Sequence, residues 1–392
     1  MRIRTTFAAM AATALAVTGL AATLPNAAAM PAKGGTATVH TVRACTAHPA
    51  PGHASCLALA LADSHGRALK SPRPLPAAFT PADVQAAYNL KGLKSGGRTV
   101  AIIDAYGYSG LEDDLAVYRD TYGLPPCTTK NGCLTIMDQN GGTHYPDDNS
   151  GWDLEQALDV DAVSATCPDC KILVVQSYNA SVYNLGAAVN MAAIQKGVVA
   201  ISNSYSGNDR HKTTAYDHRG IAITAATGDS GFQGGSYPAS DGHVVAVGGT
   251  SVSKTATKRG FTESAWSGAG SGCAEDMLIP KWQASIDTKC DTRAMSDVSA
   301  AADPNLGGLS IYYHGSFQQV GGTSESSPMI AAVFALSGHT ERYPARIVYE
   351  HSADLYDITT GSNGSCGAPL CDAGKGWDGP TGIGTPNGVA GF

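Results

Sequence analysis

The chain has 392 residues, among them 46 glycines, with 26 lysines and arginines against 33 acids and a net charge of −7. No basic run offsets that balance, which argues against nucleic-acid binding. The length suffices for one large domain or two ordinary ones, and an acidic surface poor in lysine suits an extracellular protein.

Arg2 and Arg4 precede an apolar run from Phe7 to Leu24, and Ala27-Ala28-Ala29 offers a signal-peptidase site, so residues 1–29 read as a signal peptide. A single membrane anchor competes with this reading, but the run is alanine-rich and small residues follow it directly. No later stretch is apolar enough to span a bilayer. Residues 30–78, rich in Ala, Pro and His and closed by Ser71-Pro72-Arg73-Pro74-Leu75-Pro76, read as a short pro-region or linker.

Thr80-Pro81-Ala82-Asp83-Val84 opens a capped helix through Tyr88, with proline in the first turn. From there short apolar strands alternate with helices. Strands are expected at 99–104, 171–176, 198–202, 221–226, 244–247 and 309–313. Helices are expected at 111–122, 152–165, 182–196 and 323–336. That order implies an α/β fold with a mostly parallel sheet covered by helices on both faces. Sites in such sheets lie at the carboxyl ends of the strands, where Asp104, Asn203 and Asp229 fall.

Ten cysteines fall as close neighbours: Cys45 and Cys56, Cys127 and Cys133, Cys167 and Cys170, Cys273 and Cys290, Cys366 and Cys371. An even count behind an export signal favours five local disulfides. Cys167-Pro168-Asp169-Cys170 also matches a redox or zinc half-site, but a zinc ribbon needs a second such pair and none exists.

Three sets of residues bear on chemistry. Glu155 and Asp159, four apart in a helical stretch, project from one face. Such a pair is either a source of a general base or an ordinary solvated face. Ser324 follows Gly321-Gly322-Thr323, and the glycines allow a sharp turn that presents its hydroxyl to a helix N-terminus. Its competing role is a helix cap. Asp229 lies in Gly228-Asp229-Ser230-Gly231, which is either a site loop or a self-capped turn. Taken as a chymotrypsin-type segment, that loop would make Ser230 the nucleophile; the alternating strands and helices argue against an all-β fold.

Gly-Thr-Ser with proline four residues after the serine resembles the nucleophile segment of subtilisin-like peptidases. None of the eleven histidines has the context of a subtilisin general base, and Glu155 occupies the helix where that histidine would stand. From about Thr80 to the C-terminus the chain resembles the sedolisin family, the serine-carboxyl peptidases, with a subtilisin-like fold. The resemblance implies that residues 79–392 form one large peptidase domain. It implies Glu155 as general base, Asp159 as its orienting partner, Ser324 as nucleophile and Asp229 as oxyanion stabiliser. A glutamate can accept a proton in acid, where histidine is already charged, so activity should peak well below neutrality. Asp229 must be protonated to donate to an oxyanion, which points the same way.

The resemblance also implies one structural calcium ion, held by the side chains of Asp357 and Asp378 and the carbonyls of Ile358, Gly374 and Gly376. A glycine-rich turn with capping aspartates is the plainer alternative. The expected protein is a secreted monomeric endopeptidase acting on protein or peptide substrates, with no nucleic-acid partner and no membrane contact after signal removal. Two departures stand out: the segment before the domain is short, and Glu325 puts an extra acid beside the nucleophile. An inactive secreted binding protein on a peptidase scaffold, or a subtilisin-type enzyme using Asp104 and a histidine, are the competing functions.

Overall fold

In chain order the strands are β1 (His40–Arg43), β2 (Ala54–Cys56), β3 (Leu59–Ala62), β4 (Thr99–Ala105), β5 (Leu134–Asp138), β6 (Lys171–Ser177), β7 (Val198–Asn203), β8 (Tyr205–Asn208) and β9 (Ala222–Ala226). They continue with β10 (Ser236–Tyr237), β11 (Val245–Lys254), β12 (Phe261–Ala265), β13 (Gly272–Cys273), β14 (Ala294–Met295), β15 (Val298–Ala301), β16 (Leu309–Tyr313) and β17 (Ser316–Gly321). The helices are α1 (Pro81–Ala87), α2 (Leu111–Thr121), α3 (Ser150–Thr166), α4 (Val182–Ala193), α5 (Thr323–Ser337) and α6 (Pro344–Glu350). This computed structural model describes residues 40–210, 212–339 and 343–392; the expected signal peptide at 1–29 lies outside them.

The central sheet runs β12-β11-β9-β7-β4-β6-β5, with β15 also on β11. Every pairing among β5, β6, β4, β7, β9, β11 and β15 is parallel, and only β12 is antiparallel. Strand alternation splits the core between the two faces. Val100, Ile102, Ile172 and Val174 pack with α1, α2, α3 and α5, while Ala101, Ile103, Leu173 and Val175 pack with α4. Each fully buried Ile, Val or Leu contributes about 1.5–3 kcal/mol of transfer free energy. The fold is thus the α/β architecture expected from the sequence, and the described residues lie within one compact unit.

Some boundaries and pairings differ from expectation. Helix α4 stops at Ala193, short of Lys196, and the strand expected at 244–247 extends as β11 to Lys254. The strand at 309–313 leaves the parallel sheet and pairs antiparallel with β17. The stretch at 40–62 carries regular structure: β1 pairs with β3, β3 with β17, and β2 with β8, all antiparallel. Helix α1 has its expected cap, with Thr80 and Asp83 bonding reciprocally. All five local disulfides are present, including Cys167–Cys170, which removes the zinc half-site reading. Among the described residues, no helix is long and apolar enough to cross a membrane.

Candidate active site

Helix α3 is buried on every side: all residues from Trp152 to Thr166 are inaccessible. The Glu155/Asp159 pair is therefore no solvated helix face, and desolvation dominates its chemistry. Asn149 starts the helix by accepting the amides of Gly151 and Trp152. One turn further, Glu155 points inward and its Oε2 accepts the backbone amides of Leu57 at 2.8 Å and Ala58 at 2.7 Å. Its Oε1 has no hydrogen-bond partner. Asp159 accepts the hydroxyl of Ser204 at 2.8 Å through Oδ1 and leaves Oδ2 unpartnered. No direct hydrogen bond joins the two acids; they meet through charge and through a third carboxyl.

That third carboxyl is Asp104, at the end of β4, where it pairs in register with Gln176 of β6. It is fully buried and neither of its oxygens has a partner. Burial pushes Asp104, Glu155 and Asp159 well above the usual carboxylate range. After burial, the charge of Asp104 is the largest further influence raising Glu155 and Asp159, while the Ser324 side chain lowers Glu155. Three acids this close cannot all ionise, so the group holds at least one proton at ordinary pH. The strand-end position of Asp104 was legible in the sequence; its membership in this cluster was not.

Ser324 is the second residue of α5. Thr323 follows a strand and a glycine pair, and Gly322, with φ of 103°, is the helix N-cap without any side-chain cap bond. The serine is thus not a cap. Its hydroxyl donates to the Ser204 carbonyl at 3.2 Å, and the Ser204 hydroxyl in turn reaches the Ser324 carbonyl at 3.2 Å. Ser204 therefore links Asp159 to Ser324, a role with no sequence signal beyond its place directly after β7. Burial dominates the titration of Glu155 and Asp159, followed by carboxyls, hydroxyls and, for Glu155, the Leu57 and Ala58 amides; no histidine is among these influences.

Asp229 follows β9 and reaches across to α5. Its Oδ1 accepts the Thr323 amide at 2.8 Å and the Thr323 hydroxyl at 2.9 Å, so a carboxyl remote in sequence satisfies the helix start. Its Oδ2 is buried and unpartnered, free to face a reacting group. Burial raises Asp229 to about 6 against the lowering pull of the Thr323 bonds and of Arg43. Arg43 donates to the Asp229 carbonyl at 2.9 Å and to Ser230 Oγ at 3.2 Å.

Glu325 turns out not to face the acid cluster. It is buried with both oxygens unpartnered, and its charge is felt by Tyr118 rather than among the main influences on Glu155 or Asp159. At the C-terminal end, Asp357 accepts the Gly376 amide at 3.1 Å, and Asp378 accepts the Gly374 amide at 3.1 Å. Asp378 also takes the Thr381 amide and hydroxyl at 2.9 and 2.7 Å. Two carboxylates thus converge on one glycine loop, and no atom crowds the side of Gly374 or Gly376 where a Cβ would stand. Among the described residues no group of three or more His, Cys, Asp or Glu is placed to hold a metal. Any site here must draw on carbonyls, which suits a hard cation.

A sequence profile described as the Subtilase family matches residues 142–359, more than half of the chain. Kumamolisin of Bacillus sp. (strain MN-32) is 30% identical over 80% of this chain and 63% of its own length. Sedolisin of Pseudomonas sp. (strain 101) is 27% identical over 73% of this chain and 56% of its own length. The chain thus spans less than two thirds of the length of these curated relatives. A solved structure of Pseudomonas sedolisin, a serine-carboxyl proteinase complexed with two molecules of pseudo-iodotyrostatin, shares the fold. Its TM-score is 0.67 at 23% identity, covering 79% of this chain and 95% of that one. A motif order read from four scattered residues, a doubly covered parallel sheet and a match across the span that holds those residues lead to one conclusion: the chain belongs to the subtilase family, in its sedolisin branch.

Proposed function

We propose that the protein is a secreted serine-carboxyl endopeptidase that hydrolyses peptide bonds at acidic pH. Ser324 attacks the peptide carbonyl and passes its proton to Glu155, which the Leu57 and Ala58 amides hold in place; Asp159 and Asp104 share the charge; Asp229 donates from its carboxyl to the developing oxyanion. The observation that carries this reading is that Ser324 bears on Glu155 and is linked through Ser204 to Asp159, while Glu155, Asp159 and Asp229 each keep one buried carboxyl oxygen unpartnered. Buried polar atoms without partners are costly, and an approaching substrate is what would satisfy them.

The acid optimum follows from the same burial. Asp229 can donate a proton only below about 6, whereas at neutral pH it would repel an oxyanion. Five disulfides and an export-type N-terminus support secretion. Asp357, Asp378 and the carbonyls of Ile358, Gly374 and Gly376 fit a calcium ion, which would supply charge neutralisation between the two acids and lock the loop. The working form is a monomer.

The test is proteolysis of an unfolded protein substrate across roughly pH 3 to 9, for the wild type and Ser324→Ala. Cleavage that peaks in acid and falls by at least about 10³-fold in the variant is expected. A peak near neutrality or above, or equal rates for both proteins, would refute the reading.

A further inference from the structure

Hydroxyls join the end of β7 to α5. Ser202, in the strand, meets Ser327 with their Oγ atoms 3.0 Å apart. Ser204, two residues on, meets Ser324 nearly one helical turn earlier, and this contact is double. The Ser204 carbonyl accepts the nucleophile's hydroxyl at 3.2 Å, while the Ser204 hydroxyl donates to the nucleophile's own carbonyl at 3.2 Å. The residues on either side are tied down: Asn203 donates to the Thr224 carbonyl at 2.8 Å, and the Tyr205 hydroxyl donates to Asn203 at 2.7 Å.

The sequence of α5 explains why a hydroxyl is needed at that point. A helical carbonyl takes the amide four residues ahead. For Ser324 that residue is Pro328, inside the helix and without an N–H. A proline ring also crowds the carbonyl four residues before it. The Ser324 carbonyl is therefore denied its ordinary helical donor, and the fully buried Ser204 hydroxyl supplies one from outside the helix.

A hydroxyl has one proton to give. Ser204 has two acceptors for it, Asp159 Oδ1 at 2.8 Å and the Ser324 carbonyl at 3.2 Å. As a carboxylate, Asp159 can only accept; it takes the Ser204 proton, which favours its charge, and leaves the Ser324 carbonyl without that donor. As an acid, Asp159 donates to Ser204 Oγ, and the Ser204 proton turns to the Ser324 carbonyl. The line from Asp159 through Ser204 to Ser324 is thus complete only while Asp159 is protonated. The retained proton then sits on Asp159, and Glu155, already accepting two amides, is left to carry the charge. Asp104 of β4 and Glu155 of α3 are the charged groups that bear on Asp159. Glu325 of α5 bears on Tyr118 of α2 instead, and the Tyr205 hydroxyl of β8 is engaged by Asn203 and Tyr216.

We propose that Ser204 is a positioning residue that seats the nucleophile according to the protonation of Asp159. The inference rests on the serine-carboxyl reading above and adds a second coupling between acid and activity, separate from Asp229. Ser202 is its natural control, because it joins the same strand to the same helix without touching an acid of the site.

The test measures kcat and KM on an unfolded protein substrate from about pH 3 to the alkaline end of the wild-type profile. The proteins are the wild type, Ser204→Ala, Ser204→Thr, Ser202→Ala and Ser324→Ala, each checked by thermal unfolding. Ser204→Ala should lower kcat roughly 10- to 100-fold in acid with KM little changed. Its deficit should shrink as pH rises, because in the wild type Asp159 then draws the hydroxyl away from the helix. Ser204→Thr, which keeps a hydroxyl, should recover most of the rate. Any deficit of Ser202→Ala should be the same at every pH. A Ser204→Ala deficit that is constant with pH, or absent, overturns the proposal while Ser324-dependent cleavage leaves the peptidase reading standing. A folded Ser204→Thr as slow as Ser204→Ala overturns it too. Equal cleavage by wild type and Ser324→Ala, or none by the wild type at any pH, sinks both readings together.

Discussion

Asp104 has both carboxylate oxygens unpartnered at full burial, beside two further acids. Leaving all three acids ionised would cost several kcal/mol, so Asp104, Glu155 and Asp159 share a retained proton among them. The charge of Asp104 raises Glu155 and Asp159 whenever it titrates. Asp104→Asn keeps the shape and removes that influence. The acid limb of kcat/KM against pH should move down by about half to one pH unit, and an unmoved limb would contradict the coupling. Asp229 yields a stability prediction of definite sign. Its folded value of about 6 exceeds the unfolded value of about 3.9, so its contribution is full below the lower figure. That contribution fades as pH rises through the higher one. The difference amounts to roughly 3 kcal/mol. Between about pH 4 and 7, the melting temperature of Asp229→Asn should therefore fall less than that of the wild type; parallel curves would refute the shift.

The entry to α5 concentrates several constraints in one backbone position. Gly322 sits at φ of 103°, its missing side chain makes room for the Leu57 carbonyl, and Asp229 Oδ2 closes the remaining side. Gly322→Ala should cost about 1–3 kcal/mol in backbone strain alone and displace the acid or the serine. Thermal unfolding and peptide cleavage measured together check this, and a variant with wild-type stability and rate would show that the turn relaxes freely. The helix itself was legible because glycines, a small polar turn and an alanine-rich run mark its start and buried course. Helix α3 was legible in extent but not in environment. Spacing places Glu155 and Asp159 on one face, yet only the packing of α1, α2, α5 and β16 around it shows that no face reaches water. β8 escaped because Tyr205 follows β7 after one residue with no turn signal between them. β17 escaped because its Gln318 and Gln319 are buried polar residues that break the apolar alternation. Both strands exist because another segment pairs with them, and that is information no local window holds.

At the scale of the whole molecule, the sequence shows the parallel sheet because its strands are buried on both faces and read as apolar runs. It conceals the stretch at 40–62, whose strands are short and whose alanines and prolines imitate a linker, although they complete the site. The same limit applies at the opposite end, where Asp357 and Asp378 are brought together by the bend between α6 and the C-terminus. The Gly374 and Gly376 amides now bond to the two carboxylates, but each acid keeps lone pairs free for a cation, and the loop's carbonyls supply further oxygens. A calcium ion there would tie residues 357–358 to the 374–378 loop and so brace the two segments that flank the Cys366–Cys371 disulfide. A ligand present in the native state alone adds RT ln(1 + [L]/Kd), about 2.7 kcal/mol at a hundredfold excess over Kd. Chelation should therefore lower the melting temperature of the wild type by several degrees and restore it on calcium addition. Asp378→Ala should start from the lower temperature and respond to neither treatment. Atomic emission on the dialysed proteins should find about one calcium per wild-type chain and none in the variant. Equal calcium content and equal melting temperature in the two proteins would reduce this loop to a glycine turn capped by its own aspartates.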